Sequence, residues 1–241
     1  MEELTIERIE IPVGDPGAKG LRILHLSDPH LSRRHRRREL DGLLDRINAA
    51  VPDFVALTGD LVDTPVGKIL PLLLRLRRLR MPVFFVSGNH DQVYGYPALL
   101  RVLNRCGILV LEGETTIRTF RGRTILLAGL ADRFAPFWGR RRDPDTLVTE
   151  CREKNLPCIF LAHQPKDYRY AQRAEAALFL CGHTHGGQIW PFHWLVRLEQ
   201  PFIEGLHRVG KTAVFVSRGV GTWGIHRRYR APAQLPLLVL V

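Results

Sequence analysis

The strongest constraint on the fold is a series of short, almost continuous apolar runs spread along the chain. Each run ends in small or polar residues, and β-branched and aromatic residues are frequent within it. Such runs are typical of strands that are buried on both faces of a sheet. The sequence therefore predicts strands at residues 21–28, 53–60, 82–89, 124–132, 157–163, 176–183 and 212–218.

Amphipathic helical patterns separate the first three runs, at residues 34–50 and 69–80. The apolar stripe of the first pattern consists of Leu40, Leu43, Leu44 and Ile47. Strands that alternate with helices about every 30 residues predict βαβ units. The second half of the chain has more strands and fewer helices, so we expect a mixed sheet or two stacked sheets. No repeat or linker interrupts the pattern, and we expect one domain over residues 1–241.

Composition excludes several classes of protein. The 241 residues are 45% apolar and 24% charged, which is ordinary for a globular protein. No apolar run reaches the roughly 18 residues of a membrane-spanning helix, and the acidic first residues lack the pattern of a secretory signal. The cysteine spacing fits no zinc knuckle, redox pair or secreted framework, which predicts small buried side chains in a reducing cytosol. The four cysteines are Cys106, Cys151, Cys158 and Cys181.

Residues that can bind metals follow five of the predicted strands. Each motif alone has a simpler explanation as a helix cap, a turn or a buried histidine. In open α/β sheets, however, reactive groups collect at the carboxyl ends of strands, and five such motifs in succession favour one shared site. The motifs are Asp28-Pro29-His30, Gly59-Asp60 with Asp63, Gly88-Asn89-His90-Asp91, His163, and Gly182-His183-Thr184-His185-Gly186-Gly187.

The donor types indicate the chemistry of that site. Two aspartates, one asparagine and four histidines form a set of oxygen and nitrogen donors without thiolate, which disfavours iron–sulfur and cysteine-rich zinc sites. Seven ligands are too many for one open catalytic ion but suit two ions that share a carboxylate. Such pairs lie about 3.5–4 Å apart, bind the attacking and leaving oxygens of a phosphoryl displacement, and supply hydroxide near neutral pH. The set therefore predicts phosphoester hydrolysis with a metal-bridging hydroxide as the nucleophile.

The order of these five motifs resembles that of the calcineurin-like metallophosphoesterase superfamily, and the resemblance extends from residue 21 to the end of the chain. It implies a four-layer α/β/β/α sandwich, in which helices flank two mixed β-sheets, with a dinuclear site at the sheet edge. It assigns Asp28, His30 and His185 to one metal ion. It assigns Asn89, His163 and His183 to the other, with Asp60 bridging both.

The resemblance also implies two catalytic residues. His90 matches the position that protonates the leaving group, and its place beside Asn89 is consistent with a general acid near the metals. Asp63 matches the residue that orients this histidine. Its spacing of three residues from Asp60 predicts a position one helical turn further on. We interpret Asp91 as a helix cap and leave it outside the catalytic set.

Two stretches are similar to a bacterial phosphodiesterase branch whose members often work at the membrane: residues 182–188 and 216–222. Some members of that branch cleave the pyrophosphate of a lipid A precursor, so a UDP-diacylglucosamine-type substrate is a candidate. We expect a cytoplasmic location, with peripheral attachment to the inner face of the membrane as an option.

The net charge of +11 comes mostly from arginines near the predicted metal motifs. Five of them, within residues 33–38, open the first helix, and others lie at residues 75–80, 140–142 and 227–230. Aromatic residues accompany the last two groups. These residues can form a solvated surface with the aromatics in the core, a patch that binds an anionic membrane, or a surface that stacks on single-stranded nucleic acid.

Three functions therefore stay open at this point. The first is a phosphodiesterase or pyrophosphatase that acts on a small or lipid-linked phosphoester, and it is favoured because the ligand set is complete. The second is a nuclease of the same superfamily, and the third is a scaffold that has lost activity. The cofactors expected are two divalent ions, Mn, Fe, Zn or Co, with Mn favoured. No protein partner is implied.

Overall fold

A computed structural model describes residues 4–241, and its strands form two six-stranded sheets. Residues 1–3, the acidic start in which the sequence shows no secretory pattern, lie outside the described part. The first sheet has, in spatial order, β1 (Ile6–Ile11), β12 (Leu235–Leu240), β2 (Arg22–Leu26), β3 (Phe54–Thr58), β4 (Val83–Val86) and β5 (Leu109–Val110). The second has β10 (Gly205–Val209), β11 (Thr212–Val216), β9 (Leu178–Cys181), β8 (Cys158–Leu161), β7 (Arg123–Gly129) and β6 (Glu114–Phe120).

Both sheets are mixed, with parallel strands at their centres. Strands β2, β3 and β4 pair in parallel in the first sheet, as do β7, β8, β9 and β11 in the second. Antiparallel pairs join β12 to β2, β6 to β7 and β10 to β11. The central strands are buried on both faces, as their continuous apolar runs predict.

Helices cover the outer face of each sheet. The helices are α1 (Arg37–Ala49), α2 (Leu70–Leu73), α3 (Asn89–Val93), α4 (Tyr96–Arg105), α5 (Pro144–Lys154), α6 (Tyr168–Arg173) and α7 (His193–Glu199). Three buried apolar clusters fill the spaces between the layers. One lies between the first sheet and α1, α2 and α4, one between the sheets, and one between the second sheet and α5 and α6. The expected four-layer sandwich of two mixed sheets is confirmed.

The first helical pattern is correct in its buried stripe but not in its start. Leu40, Leu43, Leu44 and Ile47 are buried, as predicted. Helix α1 begins only at Arg37, because the His35 ring accepts a hydrogen bond from the Ser32 backbone N–H at 3.1 Å and holds the preceding residues in a turn. The second pattern becomes the short α2 followed by a 3-10 helix, Leu74–Arg78.

Two of the four arginines at residues 75–80 form ion pairs within the fold. The Arg75 guanidinium donates to both carboxylate oxygens of Asp41 at 2.8 Å, and Arg78 lies 2.7 Å from Asp45. These ion pairs tie the 3-10 helix to α1. The charges of Arg75 and Arg78 are therefore paired within the fold.

Strands β1 and β12 were not predicted, and the reason differs between them. Strand β1 alternates apolar and charged residues because it lies at a sheet edge and is only partly buried. Strand β12 lies between β1 and β2 although it contains Pro236, a residue that cannot donate a ladder hydrogen bond.

Two further expectations concern cysteines and membrane spans. Cys151, Cys158 and Cys181 are buried and Cys106 is partly buried, and all four are free. None of the helices in residues 4–241 has both the length and the apolarity that crossing a bilayer would require.

Candidate metal centre

The predicted site residues converge at one edge of the sandwich. They follow the carboxyl ends of β2, β3 and β4 in the first sheet and of β8 and β9 in the second. Because these strands are parallel within each sheet, their carboxyl ends lie at a common edge, and the two sheets bring these edges together. The residues placed there are Asp28, His30, Asp60, Asp63, Asn89, His90, His163, His183 and His185.

One buried group of possible ligands consists of Asp28, His30 and His185. Their donor atoms all lie within 4.8 Å of one another. The Nε2 atoms of His30 and His185 are 3.1 Å apart, and His185 Nε2 is 3.5 Å from Asp28 Oδ1. Three donors in such proximity, shielded from water, can surround one cation.

A second group consists of Asp60, His163 and His183. His163 Nε2 lies 3.3 Å from Asp60 Oδ2 and 3.2 Å from His183 Nδ1. The same Asp60 oxygen is 3.6 Å from His30 Nε2, in the first group. Asp60 is therefore the carboxylate that lies between the two groups, where a shared ligand must be.

The donors fit two divalent ions on chemical grounds. Asn89 Oδ1 is buried without a hydrogen-bond partner among residues 4–241, as an amide oxygen reserved for a cation would be. The ring N–H at His163 Nδ1 donates to the Thr58 carbonyl at 2.8 Å, which turns Nε2 toward Asp60. Burial lowers the pKa of His163, but the charge of Asp60 and the hydrogen bond to it outweigh burial and raise the pKa well above its ordinary value, so a cation at Nε2 would replace a proton. Burial lowers the pKa of His30 to about 4 and that of His183 to about 3, so both rings are neutral donors at pH 7.

Several of these residues have an unusual backbone conformation. Asp28, His30, Asp60, His183 and His185 all have positive φ angles, between 46° and 71°. Residues other than glycine rarely adopt this left-handed region, and such strain is concentrated at functional sites. The strand-end loops therefore hold these side chains in orientations that ordinary turns do not provide.

Glycine is required where the loops approach one another. A Cβ added to Gly88 would overlap the Asp60 carboxylate, and one added to Gly182 would overlap the Ser27 hydroxyl and the Asp28 carboxylate. These glycines allow loops from different strands to touch.

His90 forms a further group of possible donors with His30 and Asp60, and it is paired with Asp63. Its Nδ1–H donates to Asp63 Oδ1 at 2.8 Å, and its backbone N–H donates to Asp60 Oδ1 at 2.9 Å. Burial lowers the pKa of His90, but the hydrogen bond to Asp63 and the charges of Asp60 and Asp63 outweigh burial and raise the pKa above its ordinary value. The ring is also 4.7 Å from that of His30, edge to face.

The path from Asp60 to Asp63 differs from the predicted helical turn. Val62 forms a parallel bridge with Leu31, and the Asp63 backbone N–H donates to the Leu31 carbonyl at 3.0 Å. The segment is held extended by this pairing, so the His90–Asp63 contact arises from loop packing. Asp91 accepts from the backbone N–H groups of Gly88 at 2.8 Å and Val62 at 3.1 Å, in agreement with its interpretation as a cap.

Sequence reasoning missed a buried hydrogen-bonded relay behind Asp28. His25 Nε2 donates to Thr58 Oγ1 at 2.8 Å, Thr58 donates to Ser27 Oγ at 2.9 Å, and Ser27 donates to Asp28 Oδ2 at 2.5 Å. Burial lowers the pKa of His25 to about 3, which keeps this ring neutral. The sequence shows His25, Ser27 and Thr58 only as polar residues within apolar runs. It does not show which of them form hydrogen bonds with one another.

Arg228 is the second missed residue. Its guanidinium donates to the Gly221 carbonyl at 2.6 Å and to the Arg218 carbonyl at 2.7 Å, and it lies 3.1 Å from His185 Nδ1. It thereby holds the loop after β11 against a candidate ligand. Within the arginine run at residues 227–230, nothing in the sequence distinguishes this residue from its neighbours.

Comparison with known sequences agrees with the motifs. The sequence model of the calcineurin-like phosphoesterase family matches residues 21–187. A metallophosphoesterase of Helicobacter pylori is 35% identical over 230 residues, which cover 92% of this chain and 60% of that protein. The "transmembrane protein with metallophosphoesterase domain" of Danio rerio is 34% identical over 250 residues, covering 96% and 56%. The Bacillus subtilis metallophosphoesterase YkuE is 30% identical over 255 residues, covering 100% and 86%.

Solved structures with little sequence identity share the fold. The protein TT1561 of Thermus thermophilus superposes with a TM-score of 0.56 at 17% identity, over 84% of this chain and 92% of that chain. The Haemophilus influenzae NAD nucleotidase gives a TM-score of 0.56 at 17% identity, over 81% and 49%. The chain spans about 60% of the length of the Helicobacter relative. On the match over residues 21–187 and the identity with these relatives, the chain belongs to the calcineurin-like phosphoesterase family.

Proposed function

We propose that this protein is a phosphohydrolase that depends on two metal ions and cleaves a phosphodiester or pyrophosphate bond. The observation that carries the proposal is the position of Asp60 between two groups of donors, with its carboxylate 3.3 Å from His163 Nε2 and 3.6 Å from His30 Nε2. Membership of a phosphoesterase family implies a phosphoester substrate. Two adjacent cation sites suit the displacement of an oxygen at phosphorus.

The proposed ligands divide between two ions. Asp28, His30 and His185 would hold the first, and Asn89, His163 and His183 the second, with Asp60 shared. When bound, two divalent ions polarise the phosphoester and supply hydroxide near neutral pH. Manganese, iron, zinc and cobalt all accept this mixed set of nitrogen and oxygen donors, and we favour manganese.

His90 is the proposed general acid. Its Nδ1–H is held by Asp63, so Nε2 is the nitrogen available to a substrate. In the protonated ring, Nε2–H would donate its proton to the leaving oxygen as the bond to phosphorus breaks. Asp63 stabilises this protonated form and fixes the plane of the ring, as a positioning residue.

The substrate class that we favour is small or lipid-linked, and a UDP-diacylglucosamine-type lipid A precursor is one candidate. Such a molecule combines a pyrophosphate with acyl chains. The surroundings of the centre support this class because Trp223 lies 6.4 Å, ring to ring, from His90 and is half exposed. An acylated substrate is presented by a bilayer, so we propose a cytoplasmic enzyme that works at the inner face of the membrane.

Hydrolysis by metal-loaded protein tests the proposal. After removal of metals by chelation, protein reloaded with Mn²⁺ should hydrolyse bis(p-nitrophenyl) phosphate, and His90→Ala should retain its metal but lose turnover by about 10²- to 10⁴-fold. His207→Ala, on β10 and outside the ligand groups, is the control. Full activity of His90→Ala would refute the role of the acid, and an inactive metal-loaded wild type would refute the hydrolase. Faster cleavage of single-stranded DNA than of the diester would favour a nuclease.

A further inference from the structure

Three segments around the metal centre expose most of the large apolar side chains of the surface. Eleven of the seventeen such side chains that are exposed in residues 4–241 lie in them, including all four tryptophans of the chain. We call residues 134–138, 190–198 and 223–229 the apolar rim. The side chains are Phe134, Phe137, Trp138, Trp190, Phe192, Trp194, Leu195, Leu198, Trp223, Ile225 and Tyr229.

Each segment of the rim adjoins a loop that carries candidate ligands. Trp223 lies next to His90, and Trp190 lines a cavity of about 550 Å³ together with Gly186 of the His185 loop. Residues 134–138 are followed by Arg140, whose guanidinium donates to the side-chain oxygen of Gln92 in helix α3 at 3.1 Å. Helix α3 also carries Asn89 and His90. Each segment of the rim is therefore connected to a loop or helix that carries candidate ligands.

Two of the segments are joined to each other by Gln188. Its side-chain amide donates to the carbonyls of Trp223 at 2.9 Å and Ile225 at 2.8 Å, and it accepts from the Trp223 backbone N–H at 3.0 Å. Gln188 is itself buried, with 7% of its surface exposed. The hydrogen bonds of Gln188 therefore hold the loops at residues 190–198 and 223–229 together.

Helix α7 is the clearest sign that this surface requires a partner. None of its seven residues is buried, and Leu198 is 85% exposed, Leu195 59% and Trp194 57%. An isolated helix of this length is unstable in water, and a helix in a globular protein normally buries its apolar face. Here the apolar side chains of α7 face the medium, which indicates an apolar phase as their partner.

Cations accompany the aromatics of the rim. The Arg197 guanidinium lies 5.4 Å from the Trp194 ring centre, and that of Arg230 lies 5.5 Å from Trp190 and 6.0 Å from Tyr229. Tryptophan and arginine are suited to the boundary between lipid headgroups and acyl chains, because each has an apolar body and a polar end. The net charge of +11 complements a negatively charged surface.

We propose that the apolar rim docks on the surface of an anionic phospholipid bilayer, with α7 lying in the interface. Aliphatic side chains favour this partner over nucleic acid, since Leu195, Leu198 and Ile225 have no π face on which a base could stack. A second copy of the chain would bring like charges together. The docking proposal rests on the proposed function in one respect: a docked rim would place the metal centre close to a lipid-linked substrate in the bilayer.

Tryptophan fluorescence and vesicle sedimentation test the docking surface. Because all four tryptophans belong to the rim, their emission should shift to the blue on vesicles of equal parts phosphatidylglycerol and phosphatidylcholine, at low salt where attraction is strongest. Lipids brominated in the acyl chains should quench it. Phosphatidylcholine vesicles alone should bind more weakly. Absence of binding to the anionic vesicles at low salt overturns the proposal.

A matched pair of variants locates the contact. Leu198→Asp should weaken binding to the anionic vesicles at least about tenfold, because it removes a leucyl group that docking would bury in the bilayer and adds a charge of the same sign as that of the headgroups. Val51→Asp, at a position 60% exposed and outside the rim, should bind as wild type. Equal binding by both variants overturns the assignment of the rim. A fluorescence response to single-stranded oligonucleotide but not to vesicles overturns it in favour of nucleic acid.

Vesicle binding and turnover are measured separately, so failure of the docking proposal can be distinguished from failure of the proposed hydrolase. His90→Ala should bind anionic vesicles as wild type does, because its ring is a minor part of the exposed surface. Loss of turnover with intact vesicle binding would therefore concern the acid alone. An active enzyme that ignores anionic vesicles would refute the docking surface and leave the proposed hydrolase standing.

Discussion

His90 Nδ1 lies 2.8 Å from Asp63 Oδ1, and this contact joins two loops that follow different strands. The hydrogen bond fixes which ring nitrogen faces a substrate. It also places a negative charge beside the protonated form of the ring.

Replacement of Asp63 by asparagine should therefore reduce kcat more than KM. The Asp63→Asn side chain keeps its size but removes the charge that stabilises the imidazolium, and we expect a loss of about 10- to 100-fold in kcat with an unchanged metal content. Steady-state kinetics on a diester and elemental analysis of the metal measure the two quantities. A variant that loses its metal instead would show that Asp63 acts as a ligand.

The division of ligands predicts different metal stoichiometries for single substitutions. Asn89→Ala removes a donor proposed for the second ion only, so binding of that ion should weaken while the first ion remains. Asp60→Asn weakens the shared ligand and should lower the affinity for both ions. Titration of metal-free protein with Mn²⁺, followed by calorimetry, measures the number of sites and their affinities. Equal loss of both ions in Asn89→Ala would contradict the proposed division.

The relay behind Asp28 should act as one unit. Ser27→Ala removes the hydroxyl that donates to Asp28 and should weaken the site of Asp28, His30 and His185 by about 10- to 100-fold. Thr58→Val acts through the same hydroxyl, so the double variant should bind metal as weakly as Ser27→Ala alone. Thr119→Val, on the exposed β6–β7 hairpin, is the control. Additive losses in the double variant would show that the two hydroxyls act separately.

Two adjacent arginines should differ sharply in their contribution to stability. Arg140 lies 2.9 Å from the buried carboxylate of Glu112 and over the ring of Tyr96, whereas Arg141 is exposed. Arg140→Met leaves Glu112 without its cation and should lower the free energy of unfolding by about 3 kcal/mol. Arg141→Met should change it by less than about 0.5 kcal/mol. Urea denaturation of both variants measures the difference.

The loss in Arg140→Met should depend on pH. Burial raises the pKa of Glu112, and Arg140 opposes that rise. Without Arg140 the folded protein should bind a proton at Glu112 more tightly than the unfolded chain does. Its stability then falls as pH rises above the unfolded pKa toward the folded one, so the deficit should be larger at pH 8 than at pH 5. A deficit independent of pH would mean that Arg140 acts by packing on Tyr96.

The apolar runs predict where the central strands lie and at which edge the candidate ligands collect, because both depend on patterns along single strands. The four layers, in contrast, were implied by the family resemblance. A buried run such as 53–60 indicates where β3 lies, and the polar residue at its end indicates which edge receives it. The contacts between loops depend on pairs that are distant in sequence. Ser27 and Thr58 are 31 residues apart, and Asp63 reaches His90 through an extended bridge in place of a helical turn.

Charge was the least predictable property from the sequence. The clusters at residues 75–80 and 140–142 contain arginines that form ion pairs within the fold, whereas Arg197 and Arg230 lie over aromatic rings of the surface. In the net charge, every one of these arginines counts as +1. Only the positions of Asp41, Glu112 and Asp167 in the folded chain separate arginines that stabilise the fold from those that face outward.

The left-handed backbone at five candidate ligands has a consequence for how the family can diverge. Asparagine, aspartate and histidine tolerate positive φ better than other residues with a Cβ do, so the backbone and the donor chemistry admit almost the same short set of side chains. A β-branched residue in place of Asp28 or Asp60 would therefore have two costs. It would remove a candidate metal ligand, and it would strain the left-handed backbone at that position. A descendant that abandons catalysis but keeps these loops should often retain aspartate or asparagine at these two positions, and its sequence would then resemble that of an enzyme.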